Sequence, residues 1–349
     1  MKIFLLEYIT AGGFNTQEIP QSLLTEAYLM RDALLRDFSG LDDLSLEIVT
    51  TYDARLENPI LAASATPIFA TDCAESIWQK QLADCDAALV VAPETAGILT
   101  HLTQLIESQS VHNLGCSSQA VRLTSDKLQT YHALIKAQIL TIPTYLATDA
   151  HIPFVKETAY IVKPIDGAGC DDTLLFDDAE ALQIWLSAQQ KLAESSPDNH
   201  LAQKIIQPYI QGQAASFSIL CKAGKAWLLS CNAQTIQLHT HGGYSALSYA
   251  GSSVNALTQY YDAFSALANQ IAANIPGLNG YVGVDVIIQD AAIYVVEINP
   301  RITTSYVGLF QSNQQNPAEL LLNLANKNAF SLPDITHLTK QPSVVDVTF

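Results

Sequence analysis

Three oxygen-bearing side chains, Asp285, Glu297 and Asn299, interrupt two otherwise apolar segments, residues 281–288 and 292–298. The connection 289–291 is of hairpin length, so the segments return side by side. Glu297 and Asn299 are two positions apart and share a face, and pairing sets Asp285 next to them. Such a donor set suits Mg2+, which completes its shell with phosphate oxygens and water. Arg301 follows within reach of the same phosphates. The alternative, a solvated sheet edge, conflicts with Val284, Val286, Ile287, Val295, Val296 and Ile298, which make the hairpin apolar on both faces. Acids embedded there need a reason.

A second signal is a pair of lysines. Lys163 ends an apolar strand, 160–163, and precedes a loop containing Gly167 and Gly169. A loop of this kind closes over phosphates with backbone N–H groups while the ammonium meets phosphate oxygen. Lys127 opens a helix, 127–136, behind the capping pair Ser125-Asp126. Further on, an apolar strand runs into the connector 207–213, where a proline leaves edge backbone groups free to meet a planar base. His239 and His241, with Gly242, lie in a polar, glycine-rich loop expected over 239–251. Either imidazole could assist an amine to lose its proton.

The elements that position these residues fall into two patterns. Strand and helix signals alternate over the first third, with strands at 3–6, 46–49 and 87–92 and helices starting near Pro20, at 74–82 and at 98–108. That rhythm predicts an open parallel sheet. Ligands of such sheets sit beyond the carboxyl ends of the strands. Here those loops are 8–13, 51–55 and 93–97, and Glu94 in the last is a candidate substrate contact. None has the G-x-G-x-x-G fingerprint of a dinucleotide site, which leaves a nicotinamide-dependent oxidoreductase as a distant reading. After about residue 115 the pattern changes. A smaller lobe carries a helix at 179–190, and a final lobe reads as an antiparallel sheet, with a hairpin of 216–222 and 226–231 and a helix at 258–274. The expected divisions are 1–115, 116–200 and 201–349.

Composition agrees with a well-buried enzyme: 349 residues, 49% apolar and 15% charged. The net charge of −17 repels phosphate backbones and argues against broad nucleic-acid binding. No apolar run approaches the roughly 20 residues that span a bilayer, and the early Glu7 is unlike a signal peptide. A cytoplasmic protein without a membrane partner is expected, and an acidic surface accommodates a monomer or a homodimer. Six irregularly spaced cysteines point away from zinc or a disulfide framework.

Taken in order, Lys127, Lys163 with its glycine loop, the 207–213 connector, and Asp285, Glu297 and Asn299 resemble the ATP-grasp superfamily. Glu297-Ile298-Asn299-Pro300-Arg301 matches its E-x-N-P-R run. The resemblance implies an ATP-grasp fold, α/β and α+β, in which an N-terminal open parallel α/β domain precedes two lobes that close on ATP. It implies that Lys127, Lys163, Gly167 and Gly169 meet phosphates and that Gln207, Pro208, Tyr209 and Ile210 present the adenine hinge. Gln213 then stands at the ribose position, and Asp285, Glu297 and Asn299 hold Mg2+, with Mn2+ able to substitute. Lys163 and Arg301 become the catalytic cations. Three positions depart from the usual pattern: Gln207 and Gln213 stand where Glu is common, and Gly283 where some ligases carry Arg. Segments 6–8, 12–13, 52–55 and 92–99 are similar to the tyramine–glutamate ligases of methanofuran and methylofuran synthesis. The implied activity joins a small-molecule carboxylate to an amine through an acyl phosphate. A kinase that stops at phosphorylation, or an inactive ATP-binding module, are the alternatives within the family. Lys163→Ala is expected to lower turnover by on the order of a hundredfold while the thermal melt stays that of the wild type; near-normal turnover contradicts the assignment.

Overall fold

The computed structural model describes residues 1–41, 45–167, 169–195, 200–325 and 342–348. The first unit holds strands β1 (Lys2–Glu7), β2 (Glu47–Asp53), β3 (Ser64–Ile68), β4 (Ala87–Val91) and β5 (His112–Asn113), with helices α1 (Gln21–Ser39), α2 (Ala74–Ala83) and α3 (Ile98–Glu107). Its strands form one five-stranded sheet in the order β3-β2-β1-β4-β5, and every pairing is parallel. This is the open parallel sheet expected from the alternating apolar runs. β3 and β5 carry no strong sequence signal because they are the edges. Pro67 in β3 is tolerated there, where no central ladder needs its missing N–H.

The rest of the chain adds α4 (Ser118–Ser125), α5 (Lys127–Lys136), β6 (Tyr145–Leu146), β7 (Tyr160–Pro164), β8 (Leu174–Phe176), α6 (Ala179–Ser195) and β9 (Lys204–Pro208). It continues with β10 (Gln213–Lys222), β11 (Lys225–His241), β12 (Tyr244–Val254), α7 (Tyr261–Asn274), β13 (Gly280–Gln289), β14 (Ala292–Asn299), α8 (Tyr306–Asn313), α9 (Pro317–Ala325) and β15 (Val345–Thr348). A second sheet runs β14-β13-β10-β11-β12-β8-β7-β9-β6, with β15 on β12. β9 sits between β7 and β6, so by pairing it goes with the strands of the smaller lobe. No helix among the described residues is long and apolar enough to cross a membrane.

Two tight turns fix the registers on which the site depends. Ala223 and Gly224, both at positive φ, join β10 to β11, as a two-residue hairpin turn demands. Asp290, at φ 53, and Ala291 join β13 to β14. The expected three-residue connection is therefore two, and Gln289 pairs with Ala292. The stretch 239–251 corrects the sequence reading more substantially. It is not a loop: β11 runs on to His241, turns at Gly242-Gly243, and returns as β12. Polar side chains obscured the strand pattern because the tip of this hairpin projects beyond the core, where its residues are exposed.

Apolar packing decides which parts move together. One core runs from Phe4, Trp78 and Leu99 of the first unit into Phe217, Val284 and Val295 of the large sheet. A second joins Leu34, Leu35 and Phe38 of α1 to Tyr281, Tyr306 and Leu320. The smaller lobe has its own core of Val162, Phe176, Leu182 and Ile206. The first unit and the large lobe are thus one packed body, and the smaller lobe is a separately packed cover. At their seam Gly280 has φ +68, and a Cβ there would lie 2.1 Å from the Leu114 carbonyl oxygen. Gly280→Ala is expected to destabilise the fold by more than the roughly 1–2 kcal/mol of a left-handed backbone alone, read from the urea midpoint; an unchanged midpoint contradicts this packing.

Candidate active site

Asp285 on β13 and Glu297 on β14 face each other in register. Asn299 Nδ2 donates to Asp285 Oδ2 at 2.9 Å, and Gln234 Nε2 of β11 donates to Oδ1 at 2.8 Å. Burial raises the Asp285 pKa, the Glu297 charge raises it further, and the two amides work in the opposite direction. Two cations stand opposite. Lys127 Nζ lies 3.3 Å from Glu297 Oε2 and also donates to the Gly167 carbonyl. That lysine is aimed by helix α5, whose first turn is capped by the Asp126 carboxylate accepting from the N–H groups of Leu128 and Gln129. Ser125 ends the preceding helix instead. Lys163, on β7, is buried; burial pulls its pKa down to about 8, with Glu297 opposing the fall and Lys127 adding to it.

These groups line one cavity of about 220 Å3 between the lobes. Gln207, Pro208, Tyr209 and Ile210 line it too, between Ile142 and Ile161 on the cover and Phe217, Val286, Ile287 and Val296 on the large lobe. Those walls are largely apolar, the kind of surface a base occupies. Gln207 is anchored by Nε2 donating to Thr144 Oγ1 at 2.8 Å, and the Tyr209 N–H is committed to the Ala159 carbonyl at 2.8 Å. Gly167 and Gly169 line the other end beside Lys127 and Lys163. Gly169 is at positive φ with open space around it, so its backbone can approach a ligand closely.

Arg301 joins the cavity from the end of β14 and makes a bidentate pair with Glu94, Nε to Oε1 at 2.8 Å and a terminal nitrogen to Oε2 at 2.9 Å. Both are buried. Burial alone would lower the arginine's pKa, but Glu94 more than offsets it. Two residues on, the Ala96 N–H donates to Asp166 Oδ2 at 2.9 Å. Loop 93–97 of the first unit therefore grips both the large lobe and the glycine loop of the cover. The other two loops do not reach the cavity. Arg55 is pinned by Asp53 and the carbonyls of Phe14 and Gln17, and Glu7 accepts from Ile9 and Thr10.

Of the expected contacts, Glu94, Gln213, His239, His241 and Gly242 do not line the cavity, Glu94 reaching it only through Arg301. Gln213 is exposed at the start of β10. His239 points at Ser248 Oγ, 2.8 Å away, on the exposed hairpin tip. Residues with no sequence signal do line it: Glu26 of α1, Ser216, Gln234, Tyr249 and 303–305. The absence of an arginine at Gly283 has a steric cause, since a Cβ there would meet Thr303 Cγ2 at 2.6 Å.

Asp285, Glu297 and Asn299 are oxygen donors only, and among the described residues no third carboxylate, histidine or cysteine joins them. A set of two carboxylates and an amide fits Mg2+ that also binds phosphates and is too poor in nitrogen and sulfur for structural zinc.

A protein that folds into this sheet arrangement around such a cleft has known counterparts. An ATP-grasp domain model matches residues 124–305, and a pre ATP-grasp 3 domain model matches 46–121. The chain belongs to the ATP-grasp family. Tyramine–L-glutamate ligase of Methanocaldococcus jannaschii is 34% identical over 330 residues, 93% of this chain and 89% of that one. The enzyme of the same name from Methanocaldococcus fervens is 32% identical over 328 residues, 93% and 94% of the two chains. Among solved structures, an ATP-grasp superfamily protein from Archaeoglobus fulgidus superposes with a TM-score of 0.67 at 24% identity, covering 100% of this chain and 99% of that one. An L-amino acid ligase from Bacillus licheniformis gives 0.64 at 14%, covering 96% and 77%.

The lowered pKa of Lys163 sets a pH dependence. Phosphate oxygens would raise that pKa, so above about pH 8 binding must take up a proton, whereas well below it the lysine is already charged. ATP affinity is expected to be flat below that point and to fall as pH rises through it, measured by isothermal titration in buffers of different ionisation enthalpy. A constant affinity from about pH 7 to about pH 9 contradicts the placement of Lys163 on a phosphate.

Proposed function

We propose that the protein is an ADP-forming ligase that joins the side-chain carboxylate of glutamate to the amine of tyramine, or of a close relative of tyramine. The observation that carries the reaction class is the opposition of Asp285 and Glu297 to Lys127 and Lys163 across one cleft, with Arg301 beside them. The substrates rest on similarity to the tyramine–L-glutamate ligases over 93% of the chain, which also suggests a place in methanofuran-type synthesis.

In this reading Mg-ATP supplies the phosphoryl group and the charge compensation that Asp285, Glu297 and Asn299 are arranged to hold. Lys127 and Lys163 fix the phosphates, and the glycine loop closes over them. The apolar walls and the Gln207–Ile210 hinge seat the base. A substrate carboxylate placed near Arg301 attacks the terminal phosphorus, the bond to the bridging oxygen breaks with its electrons leaving on ADP, and an acyl phosphate results. The amine then attacks the carbonyl and phosphate departs. The residues act mainly by positioning and by electrostatic stabilisation of the transferring group. The separately packed cover is suited to shutting water out, which protects the acyl phosphate from hydrolysis.

Phosphate release from Mg-ATP with glutamate should require tyramine for sustained turnover, and the product should weigh one water less than the two substrates together. Silence with both substrates discards the tyramine assignment, and a stable phosphorylated product formed without any amine discards the ligase reading.

A further inference from the structure

Resting on that reading, we infer that Glu26 is the residue that binds the ammonium of the incoming amine and takes its proton before attack. Glu26 lies on α1, in the first unit, and its side chain lines the cavity together with Arg301, Tyr249, Thr304 and Ser305. It lies within electrostatic reach of Arg301 and of Asp171, just past the glycine loop. Helix α1 is held rigidly there by packing on α8 and α9 and by Asn316 Nδ2 donating to the Asp37 carbonyl at 2.7 Å.

The other cavity carboxylates are already committed or exposed. Asp285 is held by Asn299 and Gln234, and Glu297 faces Lys127. Asp171 is exposed on the loop after Gly169. Glu94 occupies two donors of Arg301, so the guanidinium beside Glu26 is engaged elsewhere. Among the described residues Glu26 accepts no hydrogen bond. The charged and titratable groups that act on it are Arg301 and Asp171, and Tyr249 feels its charge in turn. Burial raises its pKa, Arg301 lowers it and Asp171 raises it. A carboxylate on a cavity wall, desolvated and without a donor, is a receptor for a cation that arrives with a substrate.

The chemistry requires such a group. A primary alkylamine titrates near the lysine value, so at pH 7 only about one molecule in a few thousand is uncharged. In the closed cavity an N–H bond of the ammonium breaks, its electron pair stays on nitrogen, and the proton forms an O–H bond on Glu26. The nitrogen pair forms the C–N bond to the acyl phosphate. The C–O bond to phosphate breaks with its electrons leaving on phosphate, which carries away the second N–H proton. A carboxyl with a raised pKa suits this role better than an ordinary one. Tyr249, next to Glu26 in the cavity wall, offers an aromatic surface to the ring of an aromatic amine.

The experiment compares two nucleophiles in wild type and Glu26→Gln, each with Mg-ATP and glutamate. Tyramine arrives as an ammonium; hydroxylamine is uncharged at neutral pH and needs no base. The inference expects amide formation to fall by on the order of a hundredfold or more while hydroxamate formation stays within a few-fold of wild type. Glu26→Asp, which keeps the carboxylate, should recover part of the amide rate and guards against a folding defect in the glutamine variant. If wild type makes both products and Glu26→Gln loses both equally, with a normal melt, Glu26 serves the acid or the activation step and the inference fails alone. Full amide synthesis in Glu26→Gln also overturns it. A wild type that makes neither product overturns the proposed substrates and this assignment with them.

Discussion

The structure depends on one unfavourable contact: two carboxylates, Asp285 and Glu297, placed directly opposite each other on a hairpin that is otherwise apolar. Two like charges about 5 Å apart repel by about 3 kcal/mol at an effective dielectric of about 20. The protein tolerates the pair because amides from Gln234 and Asn299 hold one acid and Lys127 faces the other. Burial first, and the Glu297 charge after it, still raise the Asp285 pKa against those amides and Arg301. A divalent cation carrying phosphates would complete the compensation, which makes the metal–nucleotide complex the natural partner of the large lobe.

Around that pair the parts of the chain have different jobs. The large lobe supplies the acids, helix α5, which packs on α7 and β14, supplies Lys127, the cover supplies Lys163 and the glycine loop, and the first unit supplies Glu26 and the 93–97 loop. The 93–97 loop matters most for alignment. It fixes Arg301 through Glu94 and reaches the cover through Asp166, so it reads the position of both lobes at once. A buried, bidentate ion pair of this kind adds little net stability, but it orients a guanidinium sharply, which is what a group facing a reacting carboxylate needs.

Much of this was legible in the sequence, for local reasons. The parallel sheet, the capped helix behind Asp126 and the final hairpin follow from apolar runs, a capping residue and turn chemistry, all of which act over a few positions. Asp285, Glu297 and Asn299 stood out because acids among valines and isoleucines have few structural explanations. The edge strands β3 and β5, and the two- and three-residue strands β6 and β8, carry too few residues to show a period. The 239–251 hairpin was mistaken for a loop because its exposed tip alternates polar residues on both faces, and the histidines there lie away from the cavity. Glu26 was illegible for a different reason. On an amphipathic helix it looks like any solvated glutamate, and only the packing of α1 against α8 turns it toward Arg301. Gly283, where some ligases carry arginine, faces the Thr303 side chain, a contact between distant positions that no local pattern shows.

The most direct test of the acid pair is a crystal structure with Mn2+ and a non-hydrolysable ATP analogue, read by anomalous scattering. The account predicts a manganese peak within bonding distance of Asp285, Glu297 and Asn299, with the analogue's phosphates between it and Lys127 and Lys163. Nucleotide bound in the cleft with no manganese at those three residues, or manganese bound elsewhere, would contradict it.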